Sequence, residues 1–218
     1  MQIAIDGPAS AGKSTIAKLV AKQLNFIYCD TGAMYRAVTL MAKKNGVAYG
    51  DEKQIIELMK KYQINFKNET DGQKVFLNDE DVSEQIRSVD ITNNVSEVSA
   101  LKQVREDLVK QQQQIASEKS VVMDGRDIGT TVLPNADVKI FMIASVHERA
   151  VRRFKEYEAK GVSVSLEKLE TEIAERDYKD SHRLISPLKK ADDAIELDTT
   201  GLSIDEVVLR VINIIKNN

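Results

Sequence analysis

Eight residues near the N-terminus, Gly7, Pro8, Ala9, Ser10, Ala11, Gly12, Lys13 and Ser14, constrain this chain more than any other stretch. They match the pattern G-x-x-x-x-G-K-[ST], are followed by Thr15, and come directly after the short apolar run Gln2-Ile3-Ala4-Ile5-Asp6. A strand, a glycine turn and then a helix let successive backbone N–H groups curl around an anion, with the positive end of the helix aimed at the same point. Residues 7–15 are therefore expected to cradle the phosphates of a nucleotide. Lys13 would reach the β- and γ-phosphates, and the Ser14 hydroxyl would sit on Mg²⁺.

The rest of the chain follows the same architecture. Candidate strands at 2–6, 26–29, 121–124, 138–144 and 194–197 are short, apolar and bounded by turn residues, as strands buried on both faces should be. Helical periodicity fills the intervals at 13–24, 33–44, 54–61, 96–118, 146–160, 166–179 and 203–216. This alternation predicts an α/β fold, an open parallel five-stranded sheet flanked by helices. Two segments break the pattern. Residues 62–82 read as a β-hairpin with a turn at 68–72, followed by an acidic turn at 78–81, and look like an insertion. Residues 149–166 carry Arg149, Arg152, Arg153 and Lys155 on a helix that breaks at Gly161, which suggests a lid. The glutamine run 111–114 reads as a solvated helix face.

Composition removes several classes of function. Thirty-one Lys+Arg against 34 Asp+Glu leave a net charge of −3, which argues against a nucleic-acid binder that works by phosphate neutralisation. The single cysteine, Cys29, forms no internal disulfide and no multi-cysteine metal site. The N-terminal residues lack a signal-peptide pattern, and no stretch reaches the roughly 18 apolar residues of a membrane span, so a cytoplasmic protein with no membrane partner is expected.

A second anion site is suggested by three further segments. After the second strand comes Asp30-Thr31-Gly32-Ala33-Met34-Tyr35-Arg36, where Thr31 is expected to cap the next helix. The third strand ends in Asp124-Gly125-Arg126-Asp127, at the sheet edge where open α/β proteins bind ligands. Arg176, Asp180 and Arg183 are spaced to share one helix face. Arginine's planar fork suits phosphates and base edges. There is no N-K-x-D base reader of a guanine-nucleotide switch, so a small kinase with an anionic acceptor fits best.

Taken together, these residues resemble the bacterial cytidylate kinases. The resemblance rests on residues 7–15, 30–36, the 62–82 insertion, Val104-Arg105-Glu106, residues 124–130, and Glu175-Arg176-Asp177 through Arg183. It implies ATP as phosphoryl donor, Mg²⁺ as cofactor and CMP or dCMP as acceptor. It also implies a single kinase domain, with a core at about 1–30, 84–148 and 184–218, a nucleoside-monophosphate-binding subdomain at about 31–83, a lid at about 149–166 and a nucleotide-facing helix at 167–183. Arg36 and Arg126 would hold the CMP phosphate, and Thr31, Arg105, Asp127 and Arg183 would face the cytosine. Tyr35, Arg176 and Asp180 would line the sugar, with Ser96 a further base contact. Thr31 stands where the family pattern has serine and retains the hydroxyl. Asp124 is placed with the acceptor contacts, the alternative being a magnesium-bound water. Lys13, Arg126, Arg152 and Arg153 would stabilise the transferred phosphoryl.

The chemistry of base selection is concrete. Cytosine offers an amino donor at N4 where uracil offers a carbonyl oxygen, so a carboxylate at Asp127 would accept from one and repel the other. Two other readings stay open: a kinase for another small acceptor (UMP, AMP or shikimate), and a nucleotide-binding regulator without transferase activity. The chain is expected to act as a monomer.

Overall fold

The architecture was obtained as a computed structural model, which describes residues 1–69, 72–159 and 161–218. In chain order the elements are β1 (Gln2–Asp6), α1 (Lys13–Leu24), β2 (Ile27–Asp30), α2 (Thr31–Lys44), α3 (Glu52–Met59), β3 (Ile64–Glu69), β4 (Gly72–Leu77) and β5 (Glu80–Asp81). They continue as α4 (Val89–Val98), α5 (Lys102–Glu118), β6 (Val121–Gly125), β7 (Val138–Ile143), α6 (Val146–Ala159), α7 (Leu166–His182), β8 (Ile195–Asp198) and α8 (Ile204–Lys216). The chain divides into two compact units. One comprises Met1–Cys29 with Glu118–Asn218, and the other Asp30–Ser117.

The first unit is built on a five-stranded parallel sheet in the order β2-β6-β1-β7-β8. β1 lies at its centre, paired in parallel with β6 through Ile3↔Val122 and with β7 through Ile5↔Ile140. Ile3, Ile5, Val122, Ile140 and Met142 pack with Ile16 and Val20 of α1 and with Val207, Val211 and Ile212 of α8. Each aliphatic side chain so buried contributes about 1.5–3 kcal/mol, which is why the five apolar runs appear as strands. α8 opens with a full capping box, Ser203 accepting from the Glu206 N–H while Glu206 accepts from the Ser203 N–H. α6 and α7 form a helical hairpin around Ala150, Leu169 and Ile173. The break expected at Gly161 is present, with φ +70 at that glycine and Ser165 capping α7. Lys160, in the expected lid, lies outside the described residues. Among the described residues no helix is long and apolar enough to cross a membrane.

The second unit packs around α2, whose Met34, Val38 and Met41 meet Ile55, Val75, Leu77, Ile86, Ile91 and Leu108. The expected hairpin is β3 against β4, antiparallel with Ile64↔Leu77. Thr70 and Asp71, in its expected turn, lie outside the described residues. The acidic segment is more than a turn: Asn78 takes a left-handed backbone (φ 56) and the chain returns as β5, a third strand paired through Leu77↔Glu80.

Three expectations are corrected here. The single helix expected over 96–118 is two, α4 and α5, separated at Ser99-Ala100-Leu101. The break frees the Ser99 carbonyl, which accepts from Arg105 Nη1 at 3.0 Å, so ending one helix gives a buried guanidinium an acceptor. Ser96 consequently sits in the last turn of α4. The cap of α2 is Asp30, which accepts from the Ala33 N–H at 2.8 Å, and Thr31 is the first helical residue. The glutamine run is not uniformly solvated, because Gln112 is 1% exposed and packs inward.

Candidate active site

The phosphate loop grows out of the central strand. Gly7 has φ +148, and a Cβ there would lie 2.1 Å from the Met142 carbonyl oxygen of the neighbouring strand, so only glycine allows this close approach. Ser10 (φ 58) and Gly12 (φ +87) supply the left-handed turns that point successive N–H groups to one side. α1 starts without a side-chain cap or an acidic first turn, leaving its N-terminal N–H groups and dipole available to an anion. Lys13 Nζ donates to the Pro8 carbonyl at 2.7 Å. Burial holds the Lys13 ammonium well below its ordinary pKa, with Arg126 adding in the same direction, while Asp124 and Asp6 oppose them.

The neighbouring strand β6 brings the second half of the site to the same level, with Asp6 opposite Gly125 in the sheet register. Asp124 accepts from Ser14 Oγ at 2.7 Å and from the Tyr28 hydroxyl at 2.8 Å. Two hard oxygen ligands thus stand together at the start of α1. Asp6, which the sequence reading did not single out, accepts from the Ile128 and Gly129 N–H groups at 2.8 and 2.7 Å. It pins the π-helical turn Ile128–Val132 that follows Arg126 and Asp127. Burial pushes the Asp6 carboxyl up to about 6 in spite of those hydrogen bonds.

Beyond β6 the charges alternate. Arg126 Nε donates to Asp180 at 2.9 Å, and Arg183 Nη2 lies 3.5 Å from Asp127. Burial alone would raise the Asp180 carboxyl, but Arg126, Arg176 and Arg183 outweigh it and hold the group below the ordinary value. The structure therefore brings together Lys13, Ser14, Asp124, Arg126, Asp127, Arg176, Asp180 and Arg183 within the first unit.

In the second unit Thr31, Tyr35 and Arg36 occupy the first two turns of α2. Arg36 pairs with Asp30 at 2.9 Å, so one carboxylate both caps the helix and orients the guanidinium. The Arg105 guanidinium stands 5.2 Å from the Tyr35 ring centroid, a cation–π contact that fixes both. Ser96 lies on α4, half-buried, its carbonyl accepting from Ser99 Oγ.

The arginines of α6 are not a solvated face. Arg149 and Arg153 are buried, Arg149 pairing with Asp177 and Arg153 donating to the Tyr157 hydroxyl at 2.9 Å. Arg152 donates to the Ala11 carbonyl at 3.2 Å and to the Thr199 carbonyl at 2.7 Å. The sequence reading assigned no role to Asp6, Tyr28, Asp30 or Asp177, and took Arg149 only as part of the lid. Asp6, at a strand end before the phosphate loop, and Asp30, at a strand end and the N-cap of α2, had a local signal.

A phosphate loop on the central strand, with an arginine- and aspartate-lined turn leaving the adjacent strand, defines a P-loop phosphotransferase. The cytidylate kinase family model matches residues 3–217. A cytidylate kinase of Leuconostoc mesenteroides subsp. mesenteroides is 63% identical over 100% of this chain and 97% of its own length, and one of Lactobacillus johnsonii is 61% identical over 99% and 94%. The chain belongs to the cytidylate kinase family. In fold alone it is similar to an uncharacterised protein from Eubacterium ventriosum, with TM-score 0.57, 11% identity, and coverage of 100% of this chain and 99% of that one.

Proposed function

We propose that the chain transfers the γ-phosphoryl group of ATP to CMP and dCMP. The observation that carries this reading is the pairing of β1 with β6, which sets the phosphate loop beside the Gly125-Arg126-Asp127 turn, with Ser14 hydrogen-bonded to Asp124. Donor chemistry and acceptor charge leave adjacent strands at one level of the sheet.

The loop N–H groups and Lys13 receive the donor phosphates, and Thr15 lies in the first turn of the helix they face. The Lys13 ammonium, strained by burial beside Arg126, is relieved by a polyanion. Ser14 and Asp124 suit Mg²⁺, which takes oxygen ligands and is commonly bound by one or two protein groups together with substrate phosphates. Bound there, the ion would neutralise phosphate charge. In this reading Asp124, hydrogen-bonded to Ser14, serves the metal side, the alternative that the sequence left open to the acceptor role.

Arg36 and Arg126 take the CMP phosphate. Asp127 accepts from cytosine N4, assisted by Arg183, Thr31, Arg105 and Ser96, and Asp180, Arg176 and Tyr35 serve the sugar. The attacking group is already a phosphate oxygen, so no strong general base is required, and positioning and charge cancellation carry the reaction. In this reading Arg152 and Arg153 of the lid at about 149–166 engage the transferred phosphoryl by exchanging their present partners, while Arg149, at its first position, keeps its own. The chain acts as a monomer in this reading.

The test is an ATP-dependent assay across CMP, dCMP, UMP, AMP and shikimate with Mg²⁺ present. CMP and dCMP are expected to be phosphorylated fastest. ATP turnover indifferent to all five acceptors would overturn the reading in favour of a regulator, and a preference for AMP or shikimate would overturn the acceptor assignment.

A further inference from the structure

Ala9, in the middle of the phosphate loop, is gripped on both of its backbone polar groups by a single ion pair. Its carbonyl accepts from Arg149 Nη1 at 3.0 Å, and its N–H donates to Asp177 Oδ1 at 3.3 Å. The two side chains meet each other at 2.6 Å, between Arg149 Nη1 and Asp177 Oδ2. Arg149 comes from the first turn of α6 and Asp177 from the C-terminal half of α7. The arginine is 4% exposed and is tied down further by Nε, which donates to the Ala144 carbonyl at 2.9 Å. Burying the arginine costs desolvation that a surface ion pair does not, so the fixed geometry of its contacts marks a mechanical role better than a stabilising one.

We propose that Arg149 and Asp177 are positioning residues for the donor nucleotide: together they clamp the Ala9 peptide and so hold the phosphate loop in its anion-binding shape. The inference rests on the ATP-binding reading above.

The physical reason lies in how a phosphate loop works. The N–H groups that follow Ala9 must converge inward on the anion, which turns the Ala9 and Ala11 carbonyls outward, and a chain with left-handed residues at Ser10 and Gly12 is free to flip individual peptides. A flip at Ala9 would point a carbonyl at the phosphates. Engaging that carbonyl from outside with a guanidinium blocks the flip. Arg152, one turn further along α6, also contacts the Ala11 carbonyl, beside its contact with Thr199. The carbonyls of alternate loop residues are thus contacted from one helix, and Ala9 is anchored on its N–H side as well. Asp177 is adjacent in sequence to Arg176, but its carboxylate is turned to the donor loop, so its loss should be felt by ATP and not by CMP.

The experiment measures binding of MgATP and of CMP separately, by calorimetry, on the full chain and on Asp177→Ala and Asp177→Asn variants, with initial rates as a function of each substrate. Asp177→Ala removes both the ion pair and the acceptor for the Ala9 N–H. It is expected to weaken MgATP about tenfold, with CMP within twofold of the parent. Asp177→Asn keeps an oxygen for the Ala9 N–H but loses the charge, and is expected to recover most of the loss, leaving MgATP about threefold weak. If the alanine variant does not fold, the asparagine variant decides the matter, a threefold loss confined to MgATP supporting the clamp. Unchanged MgATP affinity in the folded variants, or equal weakening of both ligands, overturns it. Parent protein that binds neither ligand overturns the functional reading instead, and the two failures are distinct.

Discussion

Replacing Asp6 with asparagine separates two effects that the fold sets against each other. Burial raises the Asp6 carboxyl from its ordinary 3.8 to about 6. The charged form is therefore disfavoured in the folded state, and the group's favourable contribution is complete below about pH 4 and lost as pH rises through about 6. A shift of that size corresponds to about 3 kcal/mol, at about 1.36 kcal/mol per pH unit. Asparagine does not titrate, but it keeps only one acceptor for the Ile128 and Gly129 N–H groups and turns an NH₂ toward the other, a loss of about 1–3 kcal/mol. Asp6→Asn should therefore be about 1–3 kcal/mol less stable than the parent near pH 4, and the gap should close by about 3 kcal/mol on moving to about pH 7.5. Urea unfolding of both proteins at the two pH values, followed by circular dichroism, measures the difference directly. A gap that stays constant or widens with rising pH would refute the argument that Asp6 is a buried carboxylate strained by desolvation.

Four further outcomes are expected. Lys13→Ala should lower kcat by about 10²–10³, the usual loss when a charge-stabilising donor is removed from a phosphoryl-transfer site, read in a coupled ATP assay. Arg36→Ala should raise KM for CMP by about 10- to 100-fold, in line with about 1.5–3 kcal/mol for a charged hydrogen bond, with KM for ATP nearly unchanged. Asp127→Ala should narrow the CMP-over-UMP ratio of kcat/KM by about 10- to 100-fold, and a ratio that does not move contradicts the assignment of Asp127 to cytosine N4. Chelation of divalent ions should abolish transfer, with added Mg²⁺ restoring it, and Asp124→Asn should shift the Mg²⁺ dependence to higher concentration.

What could be read from the sequence is what the chain encodes locally. The phosphate loop was legible because its backbone shape depends on glycines at fixed positions. The inner strands were legible because burial on both faces leaves continuous apolar runs such as Val121-Val122-Met123, whereas the edge strand β8 buries only Leu197. The split between α4 and α5 was not, since Ser99-Ala100-Leu101 contains neither glycine nor proline and the break is secured from a distance by Arg105. Asp30 and Thr31 are both competent caps, and Arg36 pairs with the former. The burial of Arg149 was equally hidden, because its partners Ala9 and Asp177 are remote in sequence. The hydrogen bonds of Ser14 and Tyr28 to Asp124, on which its proposed metal-side role rests, were hidden as well, because Asp124 is remote from both in sequence.

The path of the chain through the sheet has an evolutionary corollary. Asp30–Ser117 departs at the end of β2 and returns just before β6, and those two strands are immediate neighbours. Such an excursion behaves as an interchangeable cassette: its length and content can drift, or be exchanged wholesale, without rewiring a single strand of the donor machinery. Substitutions at Thr31, Arg36 and Arg105 then fall in one contiguous stretch of gene, apart from Arg126, Asp127 and Arg183.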